Sequence, residues 1–156
     1  MKIRRVVTGH KQDGKATVVI DEISTDLLSF RPGANVCNIW STDTLPANNE
    51  DETDGAKRIV GTTTKNGSVF RVIEYQPGVT PRNHRTDSID YAIVLDGEID
   101  MELDDECVRL RKGDMLVQRG TIHNWINRSD KSCFIAFVLI DALPYAGGGK
   151  KLDATG

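Results

Sequence analysis

Several features that would assign this chain of 156 residues to a particular class are scarce or missing. Its three cysteines, Cys37, Cys107 and Cys133, form no Cys-x-x-Cys pair, so neither a disulfide framework nor a zinc finger is expected. No run of 18 or more apolar residues could span a membrane. Net charge is −3 with interleaved signs, which lacks the clustered basic face of a nucleic-acid-binding protein. The basic N-terminus precedes no long apolar segment, so we expect a cytoplasmic protein.

What is present fits one globular domain. Apolar residues make up 38% and charged residues 28%, and a chain of this length can bury a substantial core. Cys133 begins an apolar run, so we expect it to be a small buried side chain.

From residue 69 onward, the pattern is that of an all-β domain. Residues 98–103 alternate strictly between apolar and acidic side chains, and residues 108–111 alternate likewise, which is typical of a half-buried hairpin whose arginines face the acidic row. Gly turns separate short strands at intervals of roughly eight to twelve residues, which indicates a sandwich or barrel. The predicted strands are 69–76, 90–95, 98–103, 108–111, 115–117, 121–126 and 133–140.

The N-terminal part is less regular. Residues 3–7 and 16–20 are predicted strands flanking a turn that holds His10, which we expect to be solvated. Residues 25–30 favour one helical turn stopped at Pro32-Gly33, and residues 36–42 a strand. The polar segment 43–58 is either a surface loop or a lid over a pocket.

Two of the predicted strands, 91–95 and 133–140, are apolar on both faces. A strand of this kind needs cover on its outer side. The N-terminal strands or a second subunit would supply that cover, and we expect a homodimer. Residues 146–156 are expected to be a frayed tail.

Two histidines and a carboxylate form the candidate site. His84 and Asp90 lie at the end of one strand and the start of the next, and His123 begins a later strand. Imidazole and carboxylate suit divalent zinc, iron, manganese or nickel, and three protein ligands leave positions open for substrate. We therefore expect His84, Asp90 and His123 to converge on one divalent metal ion.

The spacing of these residues resembles the two motifs of the cupin superfamily. Gly78, His84, Thr86, Asp90 and Gly97 fill the first motif with every interval kept. The second is filled by Gly120, His123 and Asn127, with Gly113 one residue closer than usual and Arg119 near a common proline position. The segment 84–91 is similar to that of small single-domain bacterial cupins of the cupin 2 type.

The resemblance implies an all-β fold, the cupin double-stranded β-helix or jelly-roll barrel, with extra N-terminal strands. The implied division is 1–67 for strands and loop packing on the barrel, 68–145 for the barrel and 146–156 for the tail. Metal cupins usually supply three His and one Glu, so Thr86 and Asp90 depart from the pattern and leave three ligands at most.

The expected function is binding or conversion of a small molecule. The resemblance implies a metal-dependent enzyme, such as a dioxygenase, decarboxylase or isomerase, acting on a small organic acid or carbonyl compound. Two alternatives remain open: a ligand-binding module without chemistry, and a metal-free isomerase or epimerase that uses His and Asp as acid and base. Further candidates for the pocket are Thr86, Arg71, Arg82 and Trp125.

Overall fold

The computed structural model describes residues 1–156, which form thirteen β-strands and no helix. The expectation of an all-β fold is therefore confirmed. The structure accordingly contains no helical segment that could span a membrane. The strands are β1 (Ile3–His10), β2 (Ala16–Ser24), β3 (Leu27–Arg31), β4 (Ala34–Thr42), β5 (Ser68–Tyr75), β6 (Ser88–Asp96), β7 (Glu98–Glu102), β8 (Cys107–Arg111), β9 (Met115–Arg119), β10 (Asn124–Ile126), β11 (Cys133–Asp141), β12 (Tyr145–Gly147) and β13 (Lys150–Leu152).

Two sheets enclose the core. The larger has the strand order β3-β4-β5-β11-β6-β9, and the smaller has the order β10-β7-β8. The late strand β11 runs antiparallel to both β5 and β6, so it joins two segments that are distant in sequence. This arrangement fits the jelly-roll fold expected from the sequence.

The core lies between the inner faces of these two sheets. Fourteen buried apolar side chains form one cluster, with Ile135 of β11 fully buried and Ile99 and Trp125 nearly so. The predicted alternation in residues 98–103 is confirmed, because Ile99 and Met101 of β7 face this core. On the outer side of the hairpin, Nε of Arg109 on β8 lies 2.7 Å from Oδ1 of Asp100. Burial of the apolar face and the cross-strand ion pair thus both stabilise the same register between β7 and β8.

A glycine is required where β6 turns into β7. Gly97 has φ +79°, and a Cβ atom there would lie 2.7 Å from the carbonyl oxygen of Ser132. Both the positive φ and the close approach exclude a larger residue without strain. The glycine that ends the first motif is thereby explained by the backbone.

The predicted helical turn at residues 25–30 is wrong. Leu27 and Leu28 belong to β3 and pair with Cys37 and Val36 of β4, respectively. Pairing with an edge of the main sheet outweighs the local preference. The strands β3 and β4 are consequently part of the main sheet, although they lie in the segment 1–67 that was expected to pack against the barrel. The proposed division into 1–67, 68–145 and 146–156 stays a prediction.

The strands β1 and β2 pair only with each other. Buried Arg5 of β1 bonds to both carboxylate oxygens of Asp54, which anchors the 43–58 segment to this hairpin. The same segment is held at Ser41, whose hydroxyl donates to the carbonyl of Gly55 at 2.6 Å. These contacts agree with a surface loop, and His10 is exposed at the end of β1.

The C-terminal residues differ from the expected frayed tail. The strands β12 and β13 form a hairpin, and beyond it Thr155 exchanges two backbone hydrogen bonds with Arg85, at 2.9 and 3.0 Å. Backbone pairing with the segment that carries His84 brings residues 155 and 156 to the candidate site. The glycine-rich sequence of this segment carries no pattern that would predict such a long-range contact.

An apolar surface remains uncovered on the outer face of the main sheet. On β6 and β9 the side chains of Ile89, Tyr91, Ile93, Met115 and Val117 are between 36% and 77% exposed. Their register places Tyr91 opposite Val117 and Ile93 opposite Met115, so they form one patch. The hairpin β1–β2 does not join this sheet. An exposed patch of this kind is typical of a protein–protein contact, and the homodimer stays a prediction.

We expect light scattering at micromolar concentration to give the mass of two chains. Val117→Asp places a charge in the centre of the patch, and burying that charge is costly, so this variant should be monomeric. Val18→Asp is the matched control, because Val18 is similarly exposed but lies on β2, which does not join this sheet. A monomeric wild-type protein would contradict the dimer.

Candidate functional site

A cavity of about 480 Å³ opens between the two sheets and holds most of the candidate residues. Its volume is in the range of small-molecule binding sites. Its lining combines apolar and aromatic side chains with charged and imidazole groups. The charged and imidazole side chains are Arg31, Arg71, Arg82, His84, Asp90 and His123.

His84 and His123 face each other although they are distant in the sequence. The backbone N–H of each residue donates to the carbonyl oxygen of the other, at 2.9 Å in both directions. The two imidazole centroids are 4.2 Å apart. An isolated antiparallel bridge therefore fixes the two rings side by side at the cavity.

The ring nitrogens of both histidines are oriented by the backbone. Nδ1 of His84 is 3.0 Å from the carbonyl oxygen of Arg82, and Nδ1 of His123 is 3.0 Å from that of Thr121. A carbonyl oxygen only accepts, so Nδ1 carries the proton in each neutral ring and Nε2 keeps its lone pair. Such a carbonyl contact is the usual support of a metal-binding histidine.

Both imidazoles are neutral at pH 7. Burial lowers the pKa of His84, and burial together with the nearby His84 lowers the pKa of His123 to about 4. Gln118 of β9 adds a contact, because its amide nitrogen is 2.9 Å from Nδ1 and 3.2 Å from Nε2 of His123. An amide nitrogen within 3.2 Å of both ring nitrogens lies against the ring and not along the lone pair of Nε2, so Gln118 helps to fix the ring of His123 and leaves Nε2 available.

Asp90 lies on β6 and is 4% exposed. Its Oδ1 is 2.5 Å from the hydroxyl of Ser88, which is also 2.9 Å from the hydroxyl of Thr86. The hydroxyl of Ser88 donates to Asp90 and is also directed at the hydroxyl oxygen of Thr86, which accepts. Burial raises the pKa of Asp90 to about 6, and the hydrogen bond from Ser88 and the charge of Arg71 partly oppose this. No lysine or arginine forms an ion pair with Asp90.

The donor types at the site suit a divalent metal ion, but the three side chains are not all placed to bind the same ion. Two neutral imidazoles with available lone pairs and one buried carboxylate form the set that zinc or ferrous iron accepts. The three side chains line one cavity. However, no three His, Cys, Asp or Glu residues stand close enough together to hold a metal ion. The two histidines are prearranged, and a third ligand is not.

The remaining pocket candidates divide into two groups. Arg71, Arg82 and Trp125 line the cavity, and Trp125 packs edge-on against His123 at 5.9 Å between centroids. Thr86 does not line the cavity. Its buried side chain contacts the hydroxyl of Ser88, which in turn bonds to Asp90. At the position of the usual ligand, Thr86 therefore places a hydroxyl group beside Ser88, outside the cavity.

Sequence reasoning missed several residues of the site. Gln118 is an uncharged polar side chain in an otherwise apolar strand just before Arg119, and that isolated position was a usable signal. Arg31 carried no signal, because it reaches the cavity only through the pairing of β3 with β4. Tyr75 and Phe137 occupy inward-facing positions of their strands, so the sequence alone did not distinguish them from residues that only fill the core.

Comparison with known proteins agrees with this geometry. Residues 71–139 match the family described as Cupin domain. The chain is 34% identical over 157 residues to phomopsin biosynthesis cluster protein C' of Diaporthe leptostromiformis, covering 95% of this chain and 83% of the relative. It is 32% identical to the cupin-domain-containing oxidoreductase fogC of Aspergillus ruber, with 97% and 79% covered.

Two solved structures share the fold at low sequence identity. A putative ethanolamine utilization protein from Salmonella typhimurium superposes with a TM-score of 0.53 at 10% identity, over 91% of this chain and 98% of the other. A cupin-2 domain protein from Rhodospirillum rubrum gives a TM-score of 0.51 at 11% identity, over 83% and 73%. The two motifs, the jelly-roll arrangement and the relatives agree, and the chain belongs to the cupin family.

Proposed function

We propose that the chain is a small-molecule cupin enzyme of the oxidoreductase type that binds a divalent metal ion through His84 and His123. The observation that carries this proposal is the pair of imidazoles, each fixed at Nδ1 by a carbonyl and oriented to coordinate through Nε2. A bound divalent ion would supply Lewis-acid or redox chemistry to a substrate in the cavity.

Relatives support the type of reaction. The proteins fogC of Aspergillus ruber and srdB of Neurospora crassa are both described as cupin-domain-containing oxidoreductases. The side chains of this protein carry no redox group apart from its three cysteines; Cys133 and Cys37 are buried, and the exposed Cys107 does not line the cavity. An oxidoreductase on this scaffold therefore needs a bound group, and the two histidines are the residues placed to hold it. We further propose that the enzyme acts as a homodimer in the cytoplasm.

The residues around the pair have separate tasks in this proposal. Asp90 is the one side-chain carboxylate in the cavity wall, so it is the third ligand or holds a water molecule in that place. Gln118 lies against the ring of His123 and helps to hold its orientation. Trp125, which packs edge-on against His123, and its aromatic neighbours exclude water from the part of the cavity beside the histidines.

The proposal predicts close to one metal ion per chain after reconstitution with ferrous iron, manganese, nickel or zinc. His84→Ala and His123→Ala each remove one of the ligands. Loss of a supporting group usually costs 10–100-fold in metal affinity, so loss of a ligand should lower the affinity by more than about 100-fold. Elemental analysis and titration with each ion give the measurement.

His10→Ala is the control for this experiment, because His10 is exposed at the end of β1 and away from the cavity. It should leave both stoichiometry and affinity unchanged. Wild-type protein that takes up none of the four ions would overturn the metal-dependent function.

A second candidate is a metal-free enzyme that moves protons between substrate and side chains. It is favoured by the position of Asp90, which lies in the cavity wall with a hydrogen bond from Ser88 and no ion pair. The neutral imidazoles of His84 and His123 are suitable acceptors nearby. A carboxyl group with a pKa of about 6 is poised to act as acid or base near neutral pH.

The ionisation of Asp90 can be tested through stability in metal-free protein. Burial raises its pKa to about 6 in the folded chain, against an ordinary value of 3.8, so the charged form is penalised on folding. That penalty is absent below the ordinary pKa, grows as the pH rises and is complete above the folded pKa. It amounts to about 3 kcal/mol, from about 1.4 kcal/mol per pKa unit.

Asp90→Asn should therefore leave stability unchanged under acidic conditions below the ordinary pKa and raise the free energy of unfolding under mildly alkaline conditions, as measured by urea denaturation. Asp130→Asn, at an exposed position of the turn before β11, should change neither. A variant that is less stable than wild type under alkaline conditions would show that the charged form of Asp90 is paired in the folded protein.

A further inference from the structure

We propose that the cavity binds the carboxylate of a substrate with an apolar or aromatic body, and that Arg31 and Arg71 are the residues that hold it. The inference rests on the proposed function, because it names the substrate class of the same cavity. It depends on a different set of residues from the metal, and the two can fail separately.

The side-chain charges that line the cavity do not balance. Arg31, Arg71 and Arg82 face one side-chain carboxylate, Asp90. None of the three arginines pairs with a side-chain carboxylate, and Arg82 donates instead to an oxygen of Gly156 at 2.6 Å. Of the eight arginines elsewhere in the chain, six pair with at least one carboxylate and two, Arg85 and Arg119, do not; the six are Arg4, Arg5, Arg58, Arg109, Arg111 and Arg128.

Arg71 is the more deeply buried of the two proposed carboxylate-binding residues. It projects from β5 into the cavity at 3% exposure. Its only hydrogen bond runs from Nη2 to the carbonyl oxygen of Gly61, at 2.6 Å, and its Nε is buried without any partner. Burial lowers the pKa of Arg71 to about 10, so the guanidinium is charged at pH 7 and its charge is poorly compensated.

Arg31 approaches the cavity from β3, at one edge of the sheet. It makes no hydrogen bond or ion pair through its side chain, and its Nη1 is buried without a partner. Its guanidinium lies 5.9 Å from the ring centroid of Tyr75, which positions the group without neutralising it. Burial lowers the pKa of Arg31, and the charge of Arg82 lowers it further.

Two partly desolvated guanidinium groups without counterions are unusual, since buried charges are normally paired. Asp90 does not fill this role, because it forms no ion pair with Arg71 and its hydrogen-bond partner is the hydroxyl of Ser88. An anion from outside the chain would satisfy the open donors. The planar guanidinium fork fits a carboxylate, and each such charge-assisted bond is stronger than a neutral one.

The aromatic wall indicates the rest of the substrate. Ring contacts lead from Arg31 to Tyr75, then to Trp125 at 6.0 Å between centroids, and from Trp125 to both Phe137 and His123. A molecule whose carboxylate lies at the arginines and whose body follows this wall reaches the histidine pair. The arginines therefore determine which end of the substrate is presented to the two histidines.

The test uses matched pairs of small probes on protein treated with a chelator. Phenylacetate and hexanoate are titrated beside phenylacetamide and hexanamide, and phenyl phosphate serves as the alternative anion. Isothermal titration or ligand-observed NMR gives the affinities. We expect each carboxylate to bind at least about tenfold more tightly than its amide, and Arg31→Gln and Arg71→Gln each to abolish that preference.

Arg119→Gln is the matched control, since it removes one positive charge from an exposed position on β9 outside the cavity lining. It should keep the preference for the carboxylate. Equal binding of acid and amide, no binding of any probe at millimolar concentration, or unchanged binding in both cavity variants would overturn the inference. Tighter binding of phenyl phosphate than of both carboxylates would overturn the assignment to carboxylates.

Metal content separates this inference from the proposed function. Arg31→Gln should take up the same amount of metal as wild type, because Arg31 supplies no ligand. Carboxylate selectivity without metal uptake would overturn the metal-dependent function alone, and metal uptake without selectivity would overturn the anion site alone.

Stability gives a second readout that a structural role for Arg71 would not produce. Arg71→Met keeps much of the volume of the side chain and removes an unpaired buried charge, so its melting temperature should equal or exceed that of wild type. Addition of phenylacetate should raise the melting temperature of wild type only, because a ligand stabilises the state that binds it. A lower melting temperature for Arg71→Met would assign Arg71 to the scaffold.

Discussion

The insertion of β11 between β5 and β6 is the constraint on which the site depends. This strand pairs Phe137 with Arg71 on one side and Leu139 with Asp90 on the other, so both charged residues project from one face of the sheet. Because side chains alternate along a strand, a shift of β5 or β6 by one residue against β11 would turn Arg71 or Asp90, respectively, to the outer face. The fully buried Val69 lies on the same face of β5 as Arg71 and opposes such a shift, since it would become exposed. Core packing thus sets the position of the polar groups.

The cavity concentrates groups that reduce stability. Burial keeps His123 neutral, raises the pKa of Asp90 and leaves Arg71 charged without a carboxylate partner. A scaffold selected for stability alone would fill these positions with apolar side chains. Their presence around one cavity indicates that binding and chemistry determine the residues there, and perturbed ionisation of this kind is common at functional sites. The packing of the two sheets offsets the cost.

Some elements were predictable from the sequence because their signals are local. The alternation in residues 98–103 predicted β7 and its buried face, and the turn glycines predicted the strand ends. The helical turn at residues 25–30 was wrong because short apolar runs do not distinguish one helical turn from an edge strand, and pairing with β4 decided the outcome. Likewise, nothing in the glycine-rich C-terminus indicated that Thr155 would pair with Arg85, since that contact depends on the folded position of both segments.

For the site, the sequence by itself determined which residue types were available and, through motif spacing, that His84, Asp90 and His123 would line one cavity. Only the tertiary structure decided their roles. It joined the two histidines by an antiparallel bridge and placed the hydroxyl of Thr86 against Ser88. No three metal-ligating side chains stand close enough together to hold an ion. The tertiary structure also brought Arg31 to the cavity and left Arg71 without a counterion. Spacing fixes which side chains share a face, whereas burial, hydrogen-bond partners and unbalanced charge arise only when distant strands pack together.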